Sequence, residues 1–291
     1  MSKPVLLITG ANGQLGCSLR YIAPSYTDFE FVFACSNELD ITQRENITAY
    51  FERYQPTWCI NTAAYTAVDK AESERERAYA VNAKAVQLLA TACQTHGTAM
   101  LHISTDFVFD GSRSVPLTEE DPTTPLNYYG ESKREGELLL QQSGIPHVII
   151  RTSWLYSPYG NNFVKTMLRL GRQRGTLNVV DDQIGTPTFA EDLAHAIMAV
   201  VRHNHQEQPA YGLYHYSNEG AASWYDFAHA IFEIANIQVS LYPIPTSAYP
   251  TPARRPHYSL MNKAKIKQTF GISIPYWRDS LQRCLLLMKC R

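Results

Sequence analysis

Val5-Leu6-Leu7-Ile8-Thr9-Gly10-Ala11-Asn12-Gly13-Gln14-Leu15-Gly16 is the stretch that decides the fold. Four apolar residues run without a break and the run ends at a glycine, the pattern of a parallel strand buried on both faces. Three glycines at GxxGxxG spacing follow, and Leu19 and Ile22 continue as the apolar side of a short helix. Glycine at these positions permits a tight turn, close approach of backbone N–H groups to a pyrophosphate, and close helix–strand packing. The spacing is not the more familiar GxGxxG. With 15 Gly in 291 residues, roughly 0.04 chance matches are expected, so a ligand-free glycine turn is the weaker reading. Gly10, Asn12, Gly13, Gln14, Leu15 and Gly16 are therefore the candidate cofactor loop.

Outward from this loop the pattern repeats. Phe31–Cys35, Thr57–Ile60, Met100–Ile103 and Val148–Ile150 are further short apolar runs. Helical patterns separate them. Thr42-x-x-Glu45 reads as a capping box opening a helix through Tyr54, and Ala78 to His96 carries Val81, Ala85, Leu88, Leu89 and Ala92 at helical spacing before Gly97. Strands alternating with helices mean βαβ units: an α/β fold with a doubly wound, Rossmann-type parallel sheet. The second half is less regular. Leu177–Val180 and Leu213–Tyr216 read as strands, and Asp192–Arg202, Ser223–Ala235 and residues 276–288 as helices. Residues 243–256 hold five prolines and read as an extended connector. The expected division is a nucleotide-binding domain over 1–153, rejoined by about 188–205, and a smaller α+β substrate-binding domain over 154–187 and 206–291.

Composition excludes several function classes. Apolar residues make up 45%, charged residues 18%, and the net charge is −1. That is an ordinary globular composition without the basic stripe of a nucleic-acid binder, so no nucleic-acid partner is expected. No apolar run approaches the ~18 residues of a membrane span, so no membrane partner is expected either. The opening MSKPVLLITGANG has one Lys and an apolar stretch too short for a secretory leader. Cysteines 17, 35, 59, 93, 284 and 290 lie far apart with no CxxC pair, which reads as reduced thiols in a cytoplasmic protein and as no metal site.

The candidate site residues fall at strand ends. Asp40-Ile41 lies in the loop after the second strand, where an adenine would sit; capping of the next helix by Asp40 or Thr42 competes equally. Ala63, Ala64 and Tyr65 follow the third strand, where small residues let a cofactor ribose lie on the chain. Tyr129-Gly130-Glu131-Ser132-Lys133 places a phenol and an ammonium on one helix face. A nearby cation lowers a phenol's pKa from ~10, which suits reversible protonation of a carbonyl oxygen. It is weak alone, with roughly 0.6 chance matches expected. Ser104-Thr105-Asp106 ends the fourth strand, where a hydroxyl can donate to a substrate carbonyl, and Arg151-Thr152-Ser153-Trp154 ends the next. Arg254-Arg255, in the proline-rich segment, are candidate partners of a diphosphate. The second strand ends Ala34-Cys35-Ser36-Asn37, with no acid until Glu38. An acid at that place selects NAD. Ser36 is thus a candidate for the ribose position, with Arg20 approaching from the first helix, and use of both cofactors with a modest preference for NADPH is expected.

In that order, the glycine loop, the Ser-Thr pair and YxxxK resemble an extended short-chain dehydrogenase/reductase. Leu39–Thr42, Asn61–Asp69, Ile103–Gly111, Asn162-Phe163-Val164, Asp182–Thr188 and Arg255-Pro256 resemble, within that group, the dTDP-4-dehydrorhamnose reductase family. The likeness runs from residue 4 to the last helix. It implies reduction of the C4 ketone of dTDP-4-dehydro-β-L-rhamnose with NADPH or NADH. It implies Tyr129 as proton donor, Lys133 as the residue that lowers its pKa and holds the nicotinamide ribose, and Thr105 as a substrate hydrogen bond. Asp106, Trp154, Asn162 and its neighbours Asn161 and Phe163 would contact the dTDP-sugar. Some members hold Mg²⁺ between subunits through glutamates, one just after the glycine loop. Here that place is Cys17-Ser18, and Glu191 alone does not make a Mg²⁺ site. The oligomer is left as monomer or homodimer. Two other readings stay open: a reductase or epimerase of another nucleotide-sugar, and a non-catalytic reductase-like subunit.

Overall fold

A computed structural model describes residues 3–206 and 208–289. Cys290, among the cysteines read above as thiols, lies outside the described residues; the other five are free thiols.

The first five runs form parallel strands β1 (Val5–Thr9), β2 (Glu30–Ala34), β3 (Trp58–Asn61), β4 (Ala99–Thr105) and β5 (His147–Thr152). The strand Gly212–His215 pairs in parallel with β5, completing a six-stranded sheet. Its spatial order is Gly212–His215, β5, β4, β3, β1, β2. The chain therefore reverses direction of growth between β1 and β3, the crevice where α/β sheets bind ligands.

Alternation along the strands divides the core in two. Leu6, Ile8, Trp58, Ile60, Leu101, Val148 and Ile150 face one side, against Leu15 and Leu19 of the helix Gln14–Ile22 and Leu193, Ile197 and Val200 of the helix Ala190–Gln206. Leu7, Cys59, Met100 and Ile149 face the other, against Ile47 and Phe51, Val86 and Leu89, and Leu140. These come from the helices Arg44–Tyr54, Ala85–His96 and Tyr128–Gln142. Successive strand residues point to opposite faces, so continuous apolar runs are what a sheet covered on both sides requires.

A third core belongs to the second half. Tyr156, Val164, Met167, Phe189, Phe227, Ile231, Trp277 and Leu281 pack together under the helices Phe163–Gln173, Trp224–Ala235 and Trp277–Lys289. Ser223 and Asp226 form the reciprocal capping box at the start of the second of these.

Several expectations need correction. Thr42-x-x-Glu45 is not a capping box: the helix begins at Arg44 after Gln43, with no side-chain cap. Thr42 is instead held by Asp40, whose Oδ1 accepts from the Thr42 backbone N–H at 2.9 Å and its hydroxyl at 2.7 Å. The expected helix 78–96 starts earlier, in the short helix Arg75–Tyr79, and is interrupted by a π turn at Ala80–Lys84. Gly136 explains the crowding there, since a Cβ on it would lie 2.1 Å from the Asn82 carbonyl oxygen. Part of the supposed proline connector is a strand: Ser240–Ile244 pairs in parallel with Thr176–Val180. Pro243 is tolerated at such an outer strand because only central strands need every backbone N–H. Gly212–His215, expected within the substrate-binding part, is the edge of the large sheet.

Candidate active site

The carboxyl ends of β1, β3, β4 and β5 open into a cavity of about 880 Å³. Gly10, Asn12, Gly13, Gln14 and Leu15 line it, and Gly16 is buried against the backbone of Gly10 and Ala11. Gly10 has φ +67°, and a Cβ there would meet Ala63 N at 2.6 Å. A Cβ on Gly16 would lie 2.5 Å from the Gly10 carbonyl oxygen. Glycine is thus required at both, for a left-handed turn and for close packing. The Gly13 N–H donates to Gly10 O at 2.9 Å, and the helix that follows has neither a side-chain cap nor an acid in its first turn. Such a terminus favours an anion.

Ser36, Asp40 and Ile41 line the cavity on the β2 side, and Ala63, Ala64 and Tyr65 beyond β3. Glu38 turns back on the strand end, where its Oε2 accepts from the Cys35 N–H at 2.9 Å. That backbone hydrogen bond holds its carboxyl below the usual range. Arg20 packs over the Phe33 ring at 4.8 Å.

Thr105, Asp106, Tyr129, Lys133 and Trp154 meet at the centre of the wall. Tyr129 is carried by the helix Tyr128–Gln142, which Asn127 caps by accepting from the Gly130 N–H at 2.8 Å. Its ring packs edge-on against Phe107 at 5.8 Å. Burial pushes the phenol up to about 12, against a hydrogen bond with Thr105 that lowers it. The Thr105 hydroxyl donates to Asp106 Oδ1 at 3.1 Å and accepts from the Phe107 N–H at 3.2 Å. Burial raises the Asp106 carboxyl to about 6, against hydrogen bonds from Ser259 and Thr105.

Lys133 differs from expectation. Its ammonium donates to the Ile103 carbonyl at 2.7 Å and lies 3.2 Å from His102 Nε2. The expected depression of the phenol by Lys133 is not seen: burial governs Tyr129, and the ammonium is engaged with β4. Lys133 is itself pulled down to about 8 by burial.

Trp154 sits in the left-handed region at φ +46° and stacks on Trp224 at 3.7 Å, with planes 10° apart. A bulky residue held at positive φ is strained, and such strain gathers at functional sites. Asn162 lines the cavity, but its amide is occupied. Oδ1 accepts from the Lys165 N–H at 3.1 Å, and Nδ2 donates to Gln14 Oε1 and to the Ser157 carbonyl, each at 2.8 Å. It caps a helix and ties the second half to the glycine loop; Asn161 lines the same wall. Arg255 also reaches the cavity, with its guanidinium paired to both Asp69 oxygens at 3.1 and 2.8 Å. Arg254 is exposed and contributes its carbonyl to Asn127.

Sequence reasoning missed three participants. Trp224 is a cavity wall that only its ring partner reveals. Asn82, a lone amide in an apolar helix, braces Tyr65 through its N–H and carbonyl, at 2.9 and 3.0 Å. His102 is a buried imidazole inside a strand; a polar residue within an apolar run was the available signal for both. Among the described residues, no three His, Cys, Asp or Glu side chains gather as a metal site.

The model of the RmlD substrate binding domain matches residues 4–290. A dTDP-4-dehydrorhamnose reductase from Aggregatibacter actinomycetemcomitans is 45% identical over 284 residues, covering 95% of this chain and 97% of the relative. The chain belongs to the dTDP-4-dehydrorhamnose reductase family. The family member from Escherichia coli K12 is 42% identical, with 96% of each chain covered. A crystal structure of the Bacillus anthracis reductase in complex with NADP superposes with a TM-score of 0.93 at 39% identity, covering 98% of this chain and 100% of that one. Thermus thermophilus UDP-glucose 4-epimerase, at 17% identity and a TM-score of 0.80, shares the fold.

Proposed function

We propose that this member of the family reduces the C4 ketone of dTDP-4-dehydro-β-L-rhamnose to dTDP-L-rhamnose. The observation that carries the reading is the convergence of Thr105, Tyr129 and Lys133 on one cavity beside an uncapped glycine-loop helix. The residues fit a dinucleotide: Cβ atoms at Gly10 and Gly16 would collide with neighbouring backbone, and no acid opposes an anion at the helix start. Gly10 to Leu15 would hold the pyrophosphate, Ser36, Asp40 and Ile41 the adenosine end, and Ala63, Ala64, Tyr65 and Lys133 the ribose toward the reacting end. NADPH, when bound, supplies the hydride. The Bacillus anthracis relative with NADP supports that choice.

Tyr129 gives its hydroxyl proton to the C4 oxygen. With its pKa pushed up to about 12 by burial, the phenol keeps its proton at neutral pH, so the proton to be given is in place, and charge on the phenolate must be stabilised as it leaves. Thr105 orients that hydroxyl and the ketone, and Asp106 and Trp154 flank the sugar. The five free thiols support a cytoplasmic enzyme, and no described helix is long and apolar enough to cross a membrane. The test is NADPH oxidation with and without the keto-sugar nucleotide. Oxidation dependent on that sugar supports the reading; no turnover with it, but turnover with another nucleotide-sugar, replaces the substrate.

Two predictions follow the cavity walls. Arg255→Ala should raise KM for the nucleotide-sugar about tenfold, the lower end for a charged hydrogen bond. Asp69 already aims and partly neutralises the guanidinium. Arg254→Ala should leave KM unchanged, and equal effects of the two would refute the assignment. The second prediction concerns cofactor choice, read from kcat/KM for NADPH and NADH at one salt concentration. NADPH should be preferred by no more than one charge-assisted hydrogen bond, about 1.5–3 kcal/mol. Preference for NADH would mean that the Glu38 carboxylate leaves Cys35 and takes the ribose hydroxyl.

A further inference from the structure

His102 is buried in β4, next to Ile103, and each of its ring nitrogens faces one side chain. Nδ1 lies 3.0 Å from Asn61 Nδ2, and Nε2 lies 3.2 Å from Lys133 Nζ. The orientation of the Asn61 amide follows from its other contacts. Its Oδ1 accepts from the Thr9 hydroxyl at 2.6 Å and from the Ala63 backbone N–H at 3.2 Å. A backbone N–H can only donate, so the oxygen must face it and the NH₂ must face the imidazole. Nδ1 therefore accepts, and the neutral ring carries its proton on Nε2. That N–H points at Lys133 Nζ. An ammonium has no lone pair to receive it, whereas an amine does.

We infer that His102 is a positioning residue for Lys133: its Nε2–H favours the amine form, so that Lys133 exchanges a proton during turnover instead of standing as a fixed cation. This rests on the reading of Tyr129 as proton donor. The phenolate left when Tyr129 gives its proton to the ketone oxygen takes one from Lys133 in its ammonium form, which the Nε2–H makes a readier acid, and the amine that remains takes a proton from water.

The other charged neighbours do not supply this effect. From β4 the ammonium meets only the Ile103 carbonyl besides His102. On its own helix, Glu137 favours the charged form, but its two oxygens accept from Arg151 of β5 at 2.9 and 2.7 Å. Tyr129, one turn back, is a neutral phenol, and Asp106, beyond β4, acts on Tyr129. Burial, and then Lys133, hold His102 well below the usual imidazole range, so the ring does not take the proton itself. Lys133, pulled down to about 8, is charged below that pH and increasingly amine above it.

The test is a titration that needs no substrate. Lysine side chains labelled with carbon-13 are followed by NMR, and the Lys133 signal is assigned by its loss in Lys133→Met. His102→Leu removes the N–H and should raise the Lys133 midpoint by about one pH unit, tenfold in proton affinity. His102→Gln offers an amide oxygen to Asn61 and an NH₂ to Lys133, and should keep the midpoint within about half a unit of the parent. The alkaline limb of kcat should move with the midpoint. An unmoved midpoint in His102→Leu overturns the proposal, as does a His102→Gln midpoint that moves as far as the Leu one. Nitrogen-15 spectra of the unaltered protein decide it independently of either variant's folding. A ring protonated on Nε2 supports it, and one protonated on Nδ1 overturns it. If the keto-sugar is not a substrate, the titration still reads, so failure of the functional reading is distinguishable.

Discussion

Tyr129→Phe is expected to retain the fold and cofactor affinity and to lose about 10²–10⁴-fold in kcat, the usual worth of general acid catalysis. The ring's packing does not depend on its hydroxyl. Its edge contact with Phe107 at 5.8 Å and the Asn127 cap of its helix both survive the change. What disappears is the phenol proton beside Thr105. The measurement is kcat by NADPH oxidation, with cofactor affinity from fluorescence titration and a thermal midpoint as controls. A variant that turns over like the parent would remove Tyr129 from the mechanism. A variant that loses cofactor affinity in proportion to kcat would give the phenol a binding role instead.

Arg151→Leu is expected to cost about 3–5 kcal/mol of stability. The Arg151 and Glu137 side chains are 5% and 3% exposed and meet through two hydrogen bonds of 2.9 and 2.7 Å. The pair joins β5 to the helix that carries Tyr129 and Lys133. Removing the guanidinium leaves a carboxylate with no water and no partner, and that desolvation is the source of the loss. The double change Arg151→Leu with Glu137→Leu should recover most of it, because no buried charge then remains. Urea unfolding of the single and double variants checks both statements. A single variant within about 1 kcal/mol of the parent would mean that water reaches the pair, as at a surface ion pair.

The legible parts of this chain are those where chemistry and backbone geometry are local. Five apolar runs became β1 to β5 because strands covered on both faces tolerate no polar alternation. The glycine loop was readable because Gly10 and Gly16 each exclude a Cβ for a reason within a few residues or one strand away. Tyr129 and Lys133 were readable because helical spacing alone puts them on one face. Thr42-x-x-Glu45 misled for a related reason: Asp40 competed locally for the same N–H and hydroxyl. The strand Ser240–Ile244 was hidden by prolines, whose exclusion from central strands does not extend to a two-stranded ribbon.

Residue order by itself determined the doubly wound sheet, the glycine turn at the end of its first strand and the placing of Tyr129 and Lys133 on one helix face, since each depends on side-chain alternation, glycine geometry or spacing along one element. Only the tertiary structure decided which polar groups are already engaged. Asn162 is occupied by Gln14, 148 positions earlier. Arg255 is aimed by Asp69, 186 positions earlier. Trp154 finds Trp224, and Lys133 turns to His102 and Ile103. Hydrogen-bond capacity is finite, and whether a donor remains for a ligand depends on partners that only chain folding brings within reach.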